Sequence, residues 1–281
     1  MKPFLRMLLG TPGGLLGAAI LAAVVAIALA ADLMYPGNPW RMVAEPNLPP
    51  FSPGYLLGTD VLGRDVAAGL VHGARVSLLV ALLATTVSVV VGTVIGAIAG
   101  FFGGWIDDLL MRLTEFVQTI PSFLLALVLV AILAPSMVSI VAAIAAVSWP
   151  SVARLVRAEF LSLKTRDFVR AAVVGGQSHL RIMACQILPN AVSPIVVAAS
   201  LMVATAILLE SSISFLGLGD RNYISWGFMI GAGRTMILQN WWLSAFPGMA
   251  IFVTVLGLNL FGDALNMALN PRQSHARGGA Q

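Results

Sequence analysis
Charged side chains fall along this chain in clusters, and the positions between the clusters are continuously apolar. No Asp, Glu, Lys or Arg occurs between Arg6 and Asp32, Arg75 and Asp107, Glu115 and Arg154, Arg181 and Glu210, or Arg234 and Asp263. A helix needs about 20 apolar residues to cross a bilayer, so the first, second, fourth and fifth runs each predict one span. The third run, residues 116–153, is 38 residues long and is interrupted by Ala134-Pro135-Ser136. That turn predicts a helical hairpin of two spans. The pattern as a whole predicts an all-α integral membrane protein with six transmembrane helices. The pattern argues against a β-barrel, which would need many alternating segments of about ten residues, whereas these runs are continuously apolar.

Composition agrees with the pattern. Of the 281 residues 59% are hydrophobic and only 10% charged, against about 25% charged in a soluble domain. Basic residues then orient the chain. With the N-terminus inside, the cytoplasmic side receives Lys2, Arg6, Arg112, Arg154, Arg157, Lys164, Arg166, Arg170, Arg181, Arg272 and Arg277. The outside keeps Arg41, Arg64, Arg75, Arg221 and Arg234. This distribution obeys the positive-inside rule and places both termini in the cytoplasm. The net charge of +4 needs no nucleic acid to explain it, since basic loops lie beside anionic headgroups. The N-terminal run is also signal-peptide-like, but its 25 residues (7–31) exceed the 7–15 of a signal core, so it is expected to stay as an anchor. A single cysteine, Cys185, excludes an intrachain disulfide, and no Cys or His cluster has metal-site spacing.

The same map divides the chain. An N-terminal span lies within 1–35 and an external loop rich in proline covers 36–75. A five-helix core follows over 76–272, with an internal loop at about 154–189 and an external one at about 210–242, and then a tail at 273–281. The internal loop carries six basic residues against Glu159 and Asp167 and is the expected docking surface. The last external loop contains Gly217, Gly219, Gly227, Gly231 and Gly233, a density that predicts tight turns or a re-entrant piece. Gly92, Gly96 and Gly100 share one helix face, a close-approach pattern of membrane helix pairs. Trp241 and Trp242 fit an interfacial aromatic belt.

In the internal loop, Arg170-Ala171-Ala172 is followed by Gly176 and then by Leu188-Pro189. This resembles the cytoplasmic loop by which permeases of ATP-binding-cassette importers contact their ATPases. Small residues allow close approach, and a glycine ends the helix where φ is positive. Arg170 stands where the family usually has Glu, and Gly175 where a larger apolar residue is common. Leu57-Gly58-Thr59-Asp60, Gly63-Arg64-Asp65-Val66 and Gly73-Ala74-Arg75-Val76-Ser77-Leu78 resemble the signature of the second, C-type subunit of dipeptide, oligopeptide and nickel permeases. Glu210 to Gly219, Ser225-Trp226-Gly227, Asn259 to Leu265 and Asn270-Pro271-Arg272 extend the likeness to nearly the whole chain.

The resemblance implies a type I importer permease in the bacterial inner membrane. Its expected partners are a second, homologous permease, two ATPase subunits and a periplasmic binding protein. This chain is expected to hold no cofactor, with ATP and Mg on the ATPases. Its only lysines, Lys2 and Lys164, do not follow Gly, so G-x-x-x-x-G-K-[ST] is absent. The ATPase-coupling loop is assigned to Arg170, Ala171, Ala172, Gly176, Leu188 and Pro189. Asp60, Gly63, Arg64, Asp65 and Arg75 are assigned to the binding-protein side, and Glu210, Gln118 and Pro121 to the pathway or its gate. Peptide is the expected substrate, with a nickel complex as the alternative. A secondary transporter would be expected to place acids or His within the spans, and the charge-free runs hold none.

Overall fold
The computed structural model describes Leu8 and residues 10–269. Lys2, Arg6, Asn270-Pro271-Arg272, Arg277 and the tail at 273–281 lie outside the described residues. Helix α1 (Pro12–Leu29) and the short α2 (Ala31–Met34) precede an irregular loop. Then come α3 (Val66–Phe102), α4 (Gly104–Thr119), α5 (Ser122–Leu133), α6 (Met137–Lys164) and α7 (Asp167–Val174). Helix α8 (His179–Leu218) contains two π segments, Ile182–Ile187 and Ser214–Leu218. The short α9 (Trp226–Gly233) and the long α10 (Trp242–Leu269) complete the described chain.

Five helices, α1, α3, α6, α8 and α10, are long and apolar enough to cross a bilayer. The third apolar run departs from the expected pair of full-length spans. Its second half is α6, but its first half is α5, whose 12 residues cover about 18 Å, short of a hydrocarbon core of about 30 Å. Helices α4 and α5 meet at an 85° bend, and only together do they make a sixth apolar passage. Pro121 explains the break. It lacks an N–H and drives the preceding residue out of the helical region, and Ile120 is extended at φ −88, ψ 131. Helix α4 also carries Asp107, Asp108, Arg112 and Glu115, which disfavour immersion in lipid.

The turn at 134–136 forms as expected. Ala134 takes φ +65, and Ser136 and Ser139 make a reciprocal capping box at the start of α6. The Met137 amide donates to the Asp220 carboxylate at 2.8 Å, fixing the turn to the distant loop after α8. At its other end α6 remains helical to Lys164, beyond the charge-free run that ends at Ala153.

Glycines set the helix packing. A Cβ at Gly92 would lie 2.6 Å from the Val152 Cβ, and one at Gly96 2.3 Å from the Ala153 carbonyl oxygen. The partner of this close-approach face is therefore α6. Helix α1 packs on α10, where Gly17 meets the Gly257 and Phe261 backbone. Arg75 joins α1 to α3 through the Ala28 carbonyl at 3.1 Å and Asp32 at 3.0 Å. The main core gathers Ala81 and Ala84 of α3, Val130 of α5, Ile144 of α6 and Ile207 and Ile213 of α8.

Candidate functional site
Two regions at opposite ends of α6 concentrate polar and irregular structure. The first is built on α7, which begins after the extended Arg166 and buries one narrow stripe, Val169 and Ala172. These pack with Val152, Val156, Phe160, Ile182 and Ile187, so α7 rests on the ends of both α6 and α8. Its end is a Schellman turn. The Gln177 N–H donates to the Ala172 carbonyl at 3.1 Å and the Gly176 N–H to Val173 at 3.0 Å, with Gly176 at φ +70. The positive φ expected of this glycine is thus observed.

Among the residues assigned to this loop, Ala172 is buried and Leu188 half-buried. Arg170, Ala171, Gly176 and Pro189 are exposed. Beside them Val173 and Val174 stand 58% and 89% exposed, an apolar face with no cover in this chain. A groove runs between α7 and the end of α3, lined by Phe101, Phe102, Lys164, Arg170, Val173 and His179 among others. Lys164 donates to the Phe101 carbonyl there.

The second region lies at the other end, where the loop before α3 meets α9. Asp60 accepts the Leu62 and Arg64 amides at 2.8 and 2.9 Å, a local turn that presents Gly63 at φ +76. A side chain at Gly63 would strike the Ala44 carbonyl oxygen, 2.1 Å from its Cβ. Arg64 lies over the Trp40 ring at 4.6 Å, and Trp40 meets Phe228 of α9 edge-on at 5.2 Å. Asp65 caps α3 by accepting the Ala67 amide at 2.8 Å. Burial pushes its carboxyl above the ordinary value, against the opposing hydrogen bonds from Ala67 and Ala68. Four of the five residues assigned here, Asp60, Gly63, Arg64 and Asp65, thus meet in one ordered loop. Arg75 sits apart, on the α1 contact.

Glu210 anchors α9. Its side chain is buried, the residue only 2% exposed, and it accepts hydroxyl bonds from Ser214 and Ser225 at 2.7 Å and from Ser211 at 3.4 Å. Ser225 in turn caps α9 through the Phe228 amide. The next residue, Trp226, donates its amide to Ser77 at 3.1 Å and its indole N–H to the Leu70 carbonyl at 2.9 Å. Helix α9 is therefore fixed to α8 and α3 together. Gly227 makes this possible, since a Cβ there would lie 2.5 Å from the Ser211 Cα. The glycine-rich stretch forms a tight turn at Gly217, φ +89, and the short helix α9. Trp242 is buried with its N–H toward the Thr59 carbonyl, so of the expected tryptophan belt only Trp241 is exposed.

Gln118 and Pro121 sit at the α4–α5 break, about 18 Å of helix from the turn at 134–136. They are not among the partners of Glu210, and the structure does not gather the three into one cluster. Sequence reasoning missed Asp107 and Arg157, which pair in bidentate fashion at 2.5 and 2.6 Å across 50 residues. It also missed the donors around Glu210. Ser214, one turn away, was legible by helical spacing, whereas Ser225, 15 residues on, was not. Among the described residues no group of three His, Cys, Asp or Glu side chains is placed to hold a metal ion.

The family described as "Binding-protein-dependent transport system inner membrane component" matches over residues 92–275. The di/tripeptide transport system permease protein DppC of Pseudomonas aeruginosa (strain UCBPP-PA14) is 38% identical over 283 residues, covering 98% of this chain and 93% of that protein. The dipeptide transport system permease protein DppC of Escherichia coli (strain K12) is 42% identical over 267 residues, covering 92% and 89%. The probable D,D-dipeptide transport system permease protein DdpC of the same strain is 34% identical over 275 residues, covering 95% and 90%.

Proposed function
The chain belongs to the family of inner membrane components of binding-protein-dependent transport systems, and from this we propose that it forms part of the pathway of an ATP-driven importer of short peptides. Peptide as cargo is supported by the relatives, whose names specify dipeptides or di- and tripeptides. The observation that carries the coupling role is α7, a short helix packed on the ends of α6 and α8 with Val173 and Val174 turned outward and its end set by Gly176 at φ +70. Such a rigid, exposed element suits a groove on a separate ATPase chain. With α4 and α5 counted as one bent passage, six crossings return the chain to the side on which it starts, and the excess of basic residues there supports the cytoplasm as that side, shared with α7. The loop around Asp60 and Arg64 then faces the periplasm, where a binding protein would deliver cargo.

Transport then follows as a shift between two states. ATP binds the closed ATPase pair better than the open one, and that differential affinity supplies the work. Closure moves α7, and α7 moves α6 and α8 with it. Because α8 carries Glu210, the same movement reaches the α9 anchor at the outer end. The second permease, the two ATPases and the periplasmic protein complete the assembly, with ATP and Mg held by the ATPases.

The test is affinity purification of the tagged chain from bacterial membranes in mild detergent, followed by reconstitution and uptake of a radiolabelled dipeptide. A second permease and two ATPase chains are expected in the eluate, with uptake that requires ATP and the binding protein. Recovery of this chain alone in several detergents, or ATP-independent uptake, would overturn the reading.

A further inference from the structure
We propose that the charged cleft between α4 and α6 is a subsite for the transported molecule, a short peptide with a free amino and a free carboxylate end. The inference rests on the peptide reading above and adds where this chain holds the peptide on its way through. The cleft is lined by Asp108, Met111, Arg112, Glu115, Arg154 and Arg157. Arg157 is already committed to Asp107. Asp108, Arg112, Glu115 and Arg154 are all exposed. The ion pairs among the described residues are Arg64–Asp60, Arg75–Asp32 and Arg157–Asp107, so none of these four takes part in one. Two cations and two anions therefore share one cleft with no ion-pair partner.

Spacing fits the charge pattern of a peptide. Asp108, Arg112 and Glu115 follow one another at single helical turns on α4, so neighbours lie about 5–6 Å apart and their signs alternate. Arg154 adds a second guanidinium from the facing α6. An extended dipeptide is about 7 Å long, comparable with one step of this ladder. A guanidinium offers paired donors to a carboxylate, while Asp108 and Glu115 offer acceptors to an ammonium group. A surface selecting for one sign alone would not carry both in alternation.

Position argues in the same direction. Arg154 is the first charged residue after the apolar run that ends at Ala153, and α6 continues beyond it to Lys164. The cleft therefore opens where the apolar part of the bundle ends, on the way of a molecule leaving the pathway. Asp107 is a positioning residue in this arrangement. It lies on the buried face of α4 and, through the bidentate bond to Arg157, holds the two walls of the cleft in register.

The experiment uses the assembled importer in inside-out vesicles without nucleotide. The sole cysteine, Cys185, is exposed and is first replaced by Ser. Arg154→Cys and Glu115→Cys are then made singly and labelled with a charged methanethiosulfonate from the cytoplasmic side. Both positions are expected to react, and millimolar alanyl-alanine is expected to slow the reaction several-fold, whereas its N-acetylated, C-amidated analogue does not. In uptake, Arg112→Gln and Arg154→Gln should each reduce dipeptide import about tenfold, the loss of one charge-assisted bond, with the partner chains still co-purifying. Labelling without protection at both positions, while the unmodified importer takes up alanyl-alanine, would overturn the subsite and leave the peptide reading standing. Positions closed to the reagent, or variants that lose the partner permease, would make the cleft a subunit contact and overturn it equally. An unmodified importer that takes up no dipeptide would remove the peptide reading and the subsite with it.

Discussion

The Ser225 hydroxyl donates to the Glu210 carboxylate at 2.7 Å and accepts the Phe228 amide N–H at 3.1 Å, so one side chain joins the end of α8 to the start of α9. Three hydroxyls point at this carboxylate, and the cluster is closed to water. Glu210→Ala would leave buried hydroxyls without their acceptor, at about 1–3 kcal/mol. The purified complex should unfold at a lower temperature. Glu210→Gln keeps a carbonyl acceptor and should lose less. Equal unfolding temperatures for wild type and the Ala variant would contradict the anchoring role.

The contact between α3 and α6 predicts a sharp position effect among the glycines. At Gly96 a side chain meets the Ala153 carbonyl oxygen at 2.3 Å and the Val156 Cβ at 2.9 Å. Backbone cannot yield there without parting the helices. Gly96→Val should cost about 1–3 kcal/mol or more and lower the amount of folded protein in the membrane. Gly13 faces only the Leu260 side chain at 3.6 Å, an ordinary contact, so Gly13→Ala should fold normally. Detergent-solubilised yield and unfolding temperature measure both.

Asp65 gives a pH dependence opposite in sign to that of an ion-paired carboxylate. Burial raises its native value above the 3.8 of the free side chain, so the folded state binds the proton more tightly than the unfolded one. Its contribution to stability is therefore full below the unfolded value and is lost as pH rises through the raised native value. Asp65→Asn removes this dependence while keeping a good helix cap. Asp65→Ala also loses the cap, at about 1 kcal/mol. Unfolding temperature measured against pH in the acid range should show a flatter profile for the Asn variant. An unchanged profile would rule out Asp65 as its source.

Much of the fold was legible because a charge in lipid is so costly that its absence marks a span. Charge-free runs located α1, α3, α6, α8 and α10, and Gly176 could be read as a helix end. The α4–α5 break was harder, because residues 116–153 carry no charge to announce it. Pro121 was visible as a bend, but only the acids of α4 and the shortness of α5 turn that bend into a broken passage. The Gly92, Gly96 and Gly100 face was legible as a surface, whereas its partner α6 depends on tertiary packing. Asp107 and Arg157 lie 50 residues apart, and no local spacing connects them. The residues around Asp60 could be grouped because a tight turn keeps them within six positions. Arg75 was grouped with them by sequence, yet its contacts lead to α1 instead.

Gly176 separates two explanations of the coupling loop that sequence alone could not part. Its φ of +70 is a left-handed conformation, and a Cβ there would find no atom within 4 Å. Bulk is therefore tolerated within this chain, and backbone strain decides, at about 1–2 kcal/mol for a residue such as Leu. Asn adopts this conformation readily. If α7 must keep its Schellman turn to transmit motion, Gly176→Asn should import at close to the wild-type rate. Gly176→Leu should hydrolyse ATP with import reduced, in an assembly that still co-purifies intact. If instead the exposed position fits closely against the ATPase, Asn and Leu should both impair import, and in proportion to their size. Measuring ATP hydrolysis and dipeptide uptake on the same vesicles distinguishes the two, because strain uncouples the activities only in the Leu variant. Equal import by wild type and both variants would remove Gly176 from the coupling path.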